Sequence, residues 1–222
     1  MEILKDYSRY FGFNKWIFFF VLCLFYSLNT FVFNEVLITK EIYYQTFGEQ
    51  VALDRIDELF EFREKWKWIG YVIVPLMLLF KISLVAVSLN IGTLFAGYKI
   101  GYKKLFQIAM IAETVFLTGA LSKTLYLVLF KEVRVMQDIQ YFYPFSLLGF
   151  FDDPQKTIER YLIYPLQTIN LYEITYFLSL ALGLHWVLKK PYKTTFVLTV
   201  ASYGIGLLIW MVLIVFMSIN MS

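Results

Sequence analysis

The chain has 222 residues, of which 59% are hydrophobic and 20% aromatic, and its formal net charge is +3. Soluble domains are about 45–50% apolar, whereas this chain contains apolar runs longer than the roughly 18 residues that cross a bilayer core. The composition therefore excludes an ordinary soluble domain and indicates a single integral membrane domain over residues 1–222. Positive charges flank the apolar runs without forming a basic face, so we expect no nucleic-acid partner.

Five apolar segments predict an all-α, polytopic transmembrane bundle. Lipid cannot satisfy open backbone groups, and continuous apolar runs favour helices over the alternating strands of a barrel. The predicted spans cover residues 16–33, 69–98, 105–130, 171–188 and 194–219. The first run is longer than a typical signal-peptide core, and no small-residue cleavage site follows it, so we expect a retained helix.

Lysine and arginine are concentrated in alternate connections. One set comprises Lys5, Arg9, Lys15, Lys99, Lys103, Lys104, Lys189, Lys190 and Lys193. The other two connections, residues 34–68 and 131–170, are longer and carry most of the acidic residues. The positive-inside rule therefore predicts an N-inside, C-outside topology. The phenylalanine-, isoleucine- and lysine-rich composition suggests an AT-rich bacterial genome, and we expect the protein in the cell inner membrane.

The first outer loop contains VALDRIDELFEFREKW, whose apolar residues Leu53, Ile56, Leu59 and Phe60 have helical spacing. This pattern predicts an extracytoplasmic amphipathic helix leading into the second span. Its apolar side either packs on the bundle or binds a partner. The second outer loop contains the aromatic stretch QYFYPFSLLGFFDDP at residues 140–154, which is expected at the membrane interface or entering it.

Four ionisable residues fall inside the predicted spans: Lys81, Glu113, Lys123 and Glu173. Charges within a bilayer usually face the bundle and find partners. At a rise of about 1.5 Å per residue, Lys81 and Glu113 lie at nearly the same depth, and Lys123 and Glu173 share a second level. We therefore predict two intramembrane ion pairs, Lys81–Glu113 and Lys123–Glu173. These pairs either specify helix packing, form part of a proton or substrate path, or include a charge that pairs with a partner subunit.

Sequence motifs give little support for an enzyme. The only cysteine is Cys23 and the only histidine is His185, and neither metal-ligand spacing nor a nucleotide-binding motif occurs. His185 and the adjacent Trp186 are expected to anchor the inner interface. We therefore predict no catalytic residue, no metal site and no cofactor.

In the segment LFAGYKIGYKKLFQIAMIAETVFLTGAL, one apolar span ends in small residues, a short basic turn follows, and a second apolar run then begins. The segment YEITYFLSLALGLHWVLKKPYKTTFVLTVASYGIGLLIW forms a second apolar pair joined by a basic turn. Over residues 90–216 the chain resembles the Yip-type (Ypt/Rab-interacting) membrane family. The resemblance implies five spans and a helper or organiser of membrane complexes.

The expected function is therefore that of a non-enzymatic accessory or scaffold subunit that binds other integral membrane proteins in the lipid bilayer. The alternative is a small transporter or channel component with a polar path through Lys81 and Glu113.

Overall fold

A computed structural model describes residues 14–151 and 153–220. Within these residues, five helical segments are long and apolar enough to cross a membrane: Lys15–Leu37, Leu53–Phe95, Tyr102–Leu129, Leu171–Leu188 and Tyr192–Asn220. This confirms the predicted all-α class and the multi-pass membrane protein. Lys5 and Arg9, which contribute to the predicted topology, lie outside the described residues.

The helices follow one another with short connections. In chain order they are α1 (Lys15–Val32, continued by a π-helical turn, Phe33–Leu37), α2 (Lys40–Phe47), α3 (Leu53–Phe95), α4 (Tyr102–Leu129), α5 (Met136–Gln140), a 3₁₀ turn (Leu147–Phe150), α6 (Pro154–Thr157), α7 (Arg160–Thr168), α8 (Leu171–Leu188), α9 (Tyr192–Thr199), a second π-helical turn (Val200–Gly204) and α10 (Ile205–Asn220).

The central helix of the bundle is α4, which packs against α1, α3 and α8. The face that it buries is built from small and aliphatic residues, which include Leu105, Ile108, Ala109, Met110 and Ala112. Gly183 permits the close approach of α8, because a Cβ atom there would lie 2.5 Å from Ile108 Cγ2. Such small-residue contacts allow the backbones of membrane helices to pack closely.

The second span is part of a much longer helix. Helix α3 has 43 residues and a length of about 64 Å, more than twice the thickness of a hydrocarbon core. The predicted amphipathic segment is its first part, and it continues into the span without a break. This segment, residues 53–68, packs against α2, and we call the two together the α2–α3 hairpin.

The connection over residues 131–170 folds against the ends of the long helices. Ile139 forms a small second core with Leu37 and Leu127, which lie near the ends of the first and third spans. Helix α7 lies along α10, where Trp210 Nε1 donates a hydrogen bond to Tyr164 Oη at 2.9 Å. The connection is therefore an ordered cap on the bundle.

Candidate functional site

An ion pair joins α3 and α4 inside the bundle. Lys81 Nζ lies 2.7 Å from Glu113 Oε1, and it also lies 3.8 Å from the centroid of the Phe116 ring. The ring face of Phe116 stabilises the ammonium group by a cation–π contact. The Lys81–Glu113 pair predicted from the sequence is therefore present in the structure.

Glu113 has a second partner on a third helix. Tyr26 Oη of α1 donates a hydrogen bond of 2.9 Å to Glu113 Oε1, the same oxygen that Lys81 contacts. Glu113 Oε2 is buried and has no hydrogen-bond partner among the described residues. One carboxylate therefore ties α1, α3 and α4 together through a single oxygen.

The predicted Lys123–Glu173 pair is wrong. Glu173 Oε1 instead accepts a hydrogen bond of 2.8 Å from Tyr203 Oη, which lies in the second π-helical turn. Lys123 Nζ lies 5.9 Å from the centroid of the Tyr143 ring. The sequence estimate fixed only the depth of the two residues, whereas the rotation of α8 turns Glu173 towards Tyr203 and away from Lys123.

Tyr176 packs against the rings of both Phe116 and Tyr203. It is fully buried one turn after Glu173 on α8, and its ring centroid lies 4.5 Å from that of Phe116 and 5.3 Å from that of Tyr203. Its hydroxyl oxygen has no hydrogen-bond partner in the described part of the chain. We call the resulting group the polar cluster, and it comprises Tyr26, Lys81, Glu113, Glu173, Tyr176 and Tyr203.

The second π-helical turn shapes one side of this cluster. A π-helical turn widens the backbone, and such turns are frequent at functional sites. Ser88 Oγ of α3 donates a hydrogen bond of 2.9 Å to the Ser202 carbonyl oxygen in this turn. The turn is thereby fixed against α3, and the adjacent Tyr203 is directed at Glu173.

Sequence reasoning missed the three tyrosines of the cluster. Each is a residue with one polar atom inside an otherwise apolar span, and Tyr176 follows Glu173 at the i+3 spacing that shares a helix face. The polar hydroxyls of tyrosines within the spans were a signal that could have identified them as candidate partners. Their matching to a particular carboxylate depends on helix rotation, which the sequence does not give.

The predicted partner-binding face divides into two sets. Ile56 is fully buried, and the Phe60 ring packs against Tyr43 of α2 with centroids 5.4 Å apart. Leu53 and Leu59 are exposed. The burial of Ile56 and the contact between Phe60 and α2 favour the packing alternative for these two residues, and partner binding through Leu53 and Leu59 stays a prediction.

Polar contacts hold the α2–α3 hairpin to the bundle. The Arg63 guanidinium donates to the carbonyl oxygens of Asn34 and Ile38, each at 3.4 Å, beside the end of the first span. Lys67 Nζ lies 2.8 Å from Glu35. These contacts fix the angle at which α3 leaves the bundle.

A second set of contacts joins α2 to the first turns of α3. Lys40 Nζ lies 2.8 Å from Asp57 Oδ1, and Tyr44 donates a hydrogen bond to the same carboxylate. The hydrogen bond to Asp57 raises the pKa of Lys40. The two helices of the hairpin are thereby joined by side chains as well as by packing.

His185 stabilises the turn between α8 and α9. Its Nδ1 lies 2.5 Å from the Lys190 carbonyl oxygen, and its ring packs edge-on against Tyr192. The turn also needs a left-handed residue, Lys189, with φ 54°. His185 therefore has a local structural contact, while its predicted anchoring role and that of Trp186 stay predictions.

The described residues 14–151 and 153–220 offer no evident metal site. No group of three or more histidine, cysteine, aspartate or glutamate side chains there could hold a metal ion. The polar cluster can instead exchange protons or order water, because it combines two carboxylates with three phenols. Comparison of the chain with protein-family models, curated proteins and solved structures gave no match.

Proposed function

We propose that the protein is a non-enzymatic accessory or scaffold subunit that binds other integral membrane proteins through the α2–α3 hairpin. The observation that carries this proposal is the continuity of α3. Its first 16 residues extend about 24 Å before the predicted second span begins, and the helix is unbroken throughout. A rigid projection of this kind can transmit the position of a bound partner to the bundle.

The exposed side of the hairpin supplies a contact surface. Leu59 and Phe62 are exposed on one side of α3, and the helical spacing places Arg55 and Glu58 on the same side. Apolar side chains with a charged rim are typical of protein interfaces, where the apolar residues contribute most of the affinity. The face is therefore suited to a folded protein partner.

The proposal includes the predicted topology in a bacterial inner membrane, with the α2–α3 hairpin on the outer side. The basic connections 99–104 and 189–193 support this topology, because spans that alternate in direction bring the start of α1, the start of α4 and the end of α8 to the same side of the membrane. The resemblance to the Yip-type family is consistent with an organising role and stays a prediction.

Site-specific photo-crosslinking in intact cells tests the proposal. A photo-reactive phenylalanine is placed at Leu59 or Phe62, and the matched controls carry it at Leu208 or Val212, which are exposed on α10. We expect one discrete protein adduct from each hairpin position and lipid adducts from the controls. An identical pattern at both sets of positions, or no protein adduct at the hairpin, would contradict a docking role.

The alternative of a transporter or channel component is favoured by a different observation. Glu113 Oε2 and the Tyr176 hydroxyl are both buried without a partner among the described residues. Buried polar atoms of this kind often bind water or a ligand. A polar path through Lys81 and Glu113 would use these atoms.

Thiol labelling distinguishes this alternative. Cys23 is replaced by serine, single cysteines are introduced at Glu113 or Tyr176, and Ala112 provides a buried control on α4. A path predicts that a small charged, water-soluble thiol reagent modifies positions 113 and 176 faster than position 112. Equal protection at all three positions would exclude the path.

A further inference from the structure

An apolar groove opens between the first helix and the central pair. It has a volume of about 320 Å³ and lies between α1, α3 and α4. Its apolar wall is formed mainly by Trp16, Phe19, Leu79, Phe106 and Met110, with Ser83 as a polar residue. No part of the proposed docking function uses this groove.

The groove is long in one direction. At a rise of about 1.5 Å per residue, Met110 lies roughly 12 Å from the start of α4 at Tyr102, and Ser83 roughly 18 Å from the end of α3 at Phe95. The groove therefore runs from the ends of the helices to the level of the bilayer interior. A single acyl chain has these dimensions and this chemistry.

Two ammonium groups stand at the mouth of the groove. Lys15 and Lys103 both line it, and no carboxylate does. Neither lysine takes part in an ion pair among the described residues. The mouth is therefore positively charged and complementary to an anion.

Backbone groups add to this positive charge. Helix α1 begins at Lys15 and α4 begins at Tyr102, so two helix N-termini point their partial positive charge at the same region. Gly101 gives α4 no side-chain cap. The helix ends thus add to the positive charge that the two lysines supply at the mouth of the groove.

We propose that this groove binds one anionic phospholipid. The headgroup phosphate lies between Lys15 and Lys103, and one acyl chain lies along the wall formed by Phe19, Phe106 and Met110. A soluble anion would leave the apolar wall uncovered, and a neutral lipid would leave the two ammonium groups without a counter-charge. The occupant that satisfies both parts of the groove is therefore an anionic lipid.

Native mass spectrometry of the delipidated full-length protein tests the assignment. The protein is titrated with phosphatidylglycerol and, separately, with phosphatidylethanolamine of the same acyl composition. The variants are Lys15→Gln, Lys103→Gln and their combination. The matched control is Lys189→Gln with Lys193→Gln, which removes two lysines from the other basic connection.

The expected result is a preference for the anionic lipid that depends on the two groove lysines. The unmodified protein binds phosphatidylglycerol more tightly than phosphatidylethanolamine, and each groove lysine contributes roughly fivefold to that preference, the value typical of a basic residue near an anionic lipid surface. The control variant changes the preference less than twofold. Ser83→Phe places a large side chain in the groove and weakens the binding of both lipids. The lysine variants test the proposal even if Ser83→Phe does not fold.

Two results would overturn the proposal. Equal affinity of the unmodified protein for the two lipids would show that any acyl chain or detergent tail fills the groove without headgroup recognition. An equal loss in the control and groove variants would show a diffuse charge effect and no site.

Discussion

Lys81 Nζ and Glu113 Oε1 lie 2.7 Å apart, yet 43% of the Lys81 side chain is exposed and only 1% of the Glu113 side chain. The two members of the pair are therefore not equivalent. A long lysine can extend its ammonium group along the protein surface to a more polar environment, whereas a buried carboxylate cannot move away. The stability of the pair depends on which member is removed.

We expect Lys81→Met to reduce the free energy of unfolding by about 3 kcal/mol, since it leaves an unpaired carboxylate inside the bundle. Glu113→Gln should cost about 1 kcal/mol, because the amide still accepts a hydrogen bond from Tyr26. The double variant should recover part of the larger loss. Unfolding in mixed detergent micelles measures all three, and equal losses in the single variants would disprove the asymmetry.

The same chemical change should have different effects at two tyrosines. Tyr203→Phe removes a hydrogen bond to Glu173 and should cost about 1–2 kcal/mol of unfolding free energy. Tyr176→Phe should change it by less than about 0.5 kcal/mol, because its hydroxyl has no partner within the described residues. A large loss at Tyr176 in the same unfolding assay would indicate a bound water or ligand at this hydroxyl.

Close packing of α4 and α8 predicts a steric effect. In Gly183→Ala the new methyl group would meet Ile108 Cγ2 at 2.5 Å, so we expect a loss of about 1–3 kcal/mol in unfolding free energy. Gly70→Ala on α3 is the matched control, because nothing lies within 4 Å of its Cβ position. A control that loses as much stability as Gly183→Ala would show that helix packing is not the cause.

Two arginines of the α2–α3 hairpin should differ in their effect on local opening. Arg63 is 16% exposed and contacts the end of the first span, whereas Arg55 is 68% exposed and pairs with Glu58, three residues further along the same helix. We expect Arg63→Met to speed hydrogen exchange across α2 at least severalfold, since local opening depends on such contacts. Arg55→Met should leave exchange unchanged, and a comparable increase in both variants would contradict the anchoring role.

The sequence was most informative about properties that depend only on position along the chain. Apolar run length located the five spans, and the end of the fourth, Leu188, agrees with the structure. Depth along the span placed Lys81 and Glu113 at one level. These properties depend only on hydropathy and on the rise per residue of a helix.

The same reasoning failed where rotation decides the contacts. Lys123 and Glu173 lie at similar depth, but Glu173 faces Tyr203. Ile56 and Phe60 have amphipathic spacing, but Ile56 is buried and the Phe60 ring packs against Tyr43 of α2. Helical spacing shows that residues share a face, and it does not show which neighbour meets that face.

By itself the sequence determined that this chain is a membrane-embedded helical bundle with ionisable side chains among its apolar segments. The reason is that the length and polarity of each apolar run determine whether that run enters lipid. Only the tertiary structure decided that Glu113 receives both Tyr26 and Lys81, and that α3 continues unbroken into the α2–α3 hairpin. The physical reason is that partner choice depends on how the helices rotate and pack around α4. That arrangement is set by contacts between residues distant in the chain.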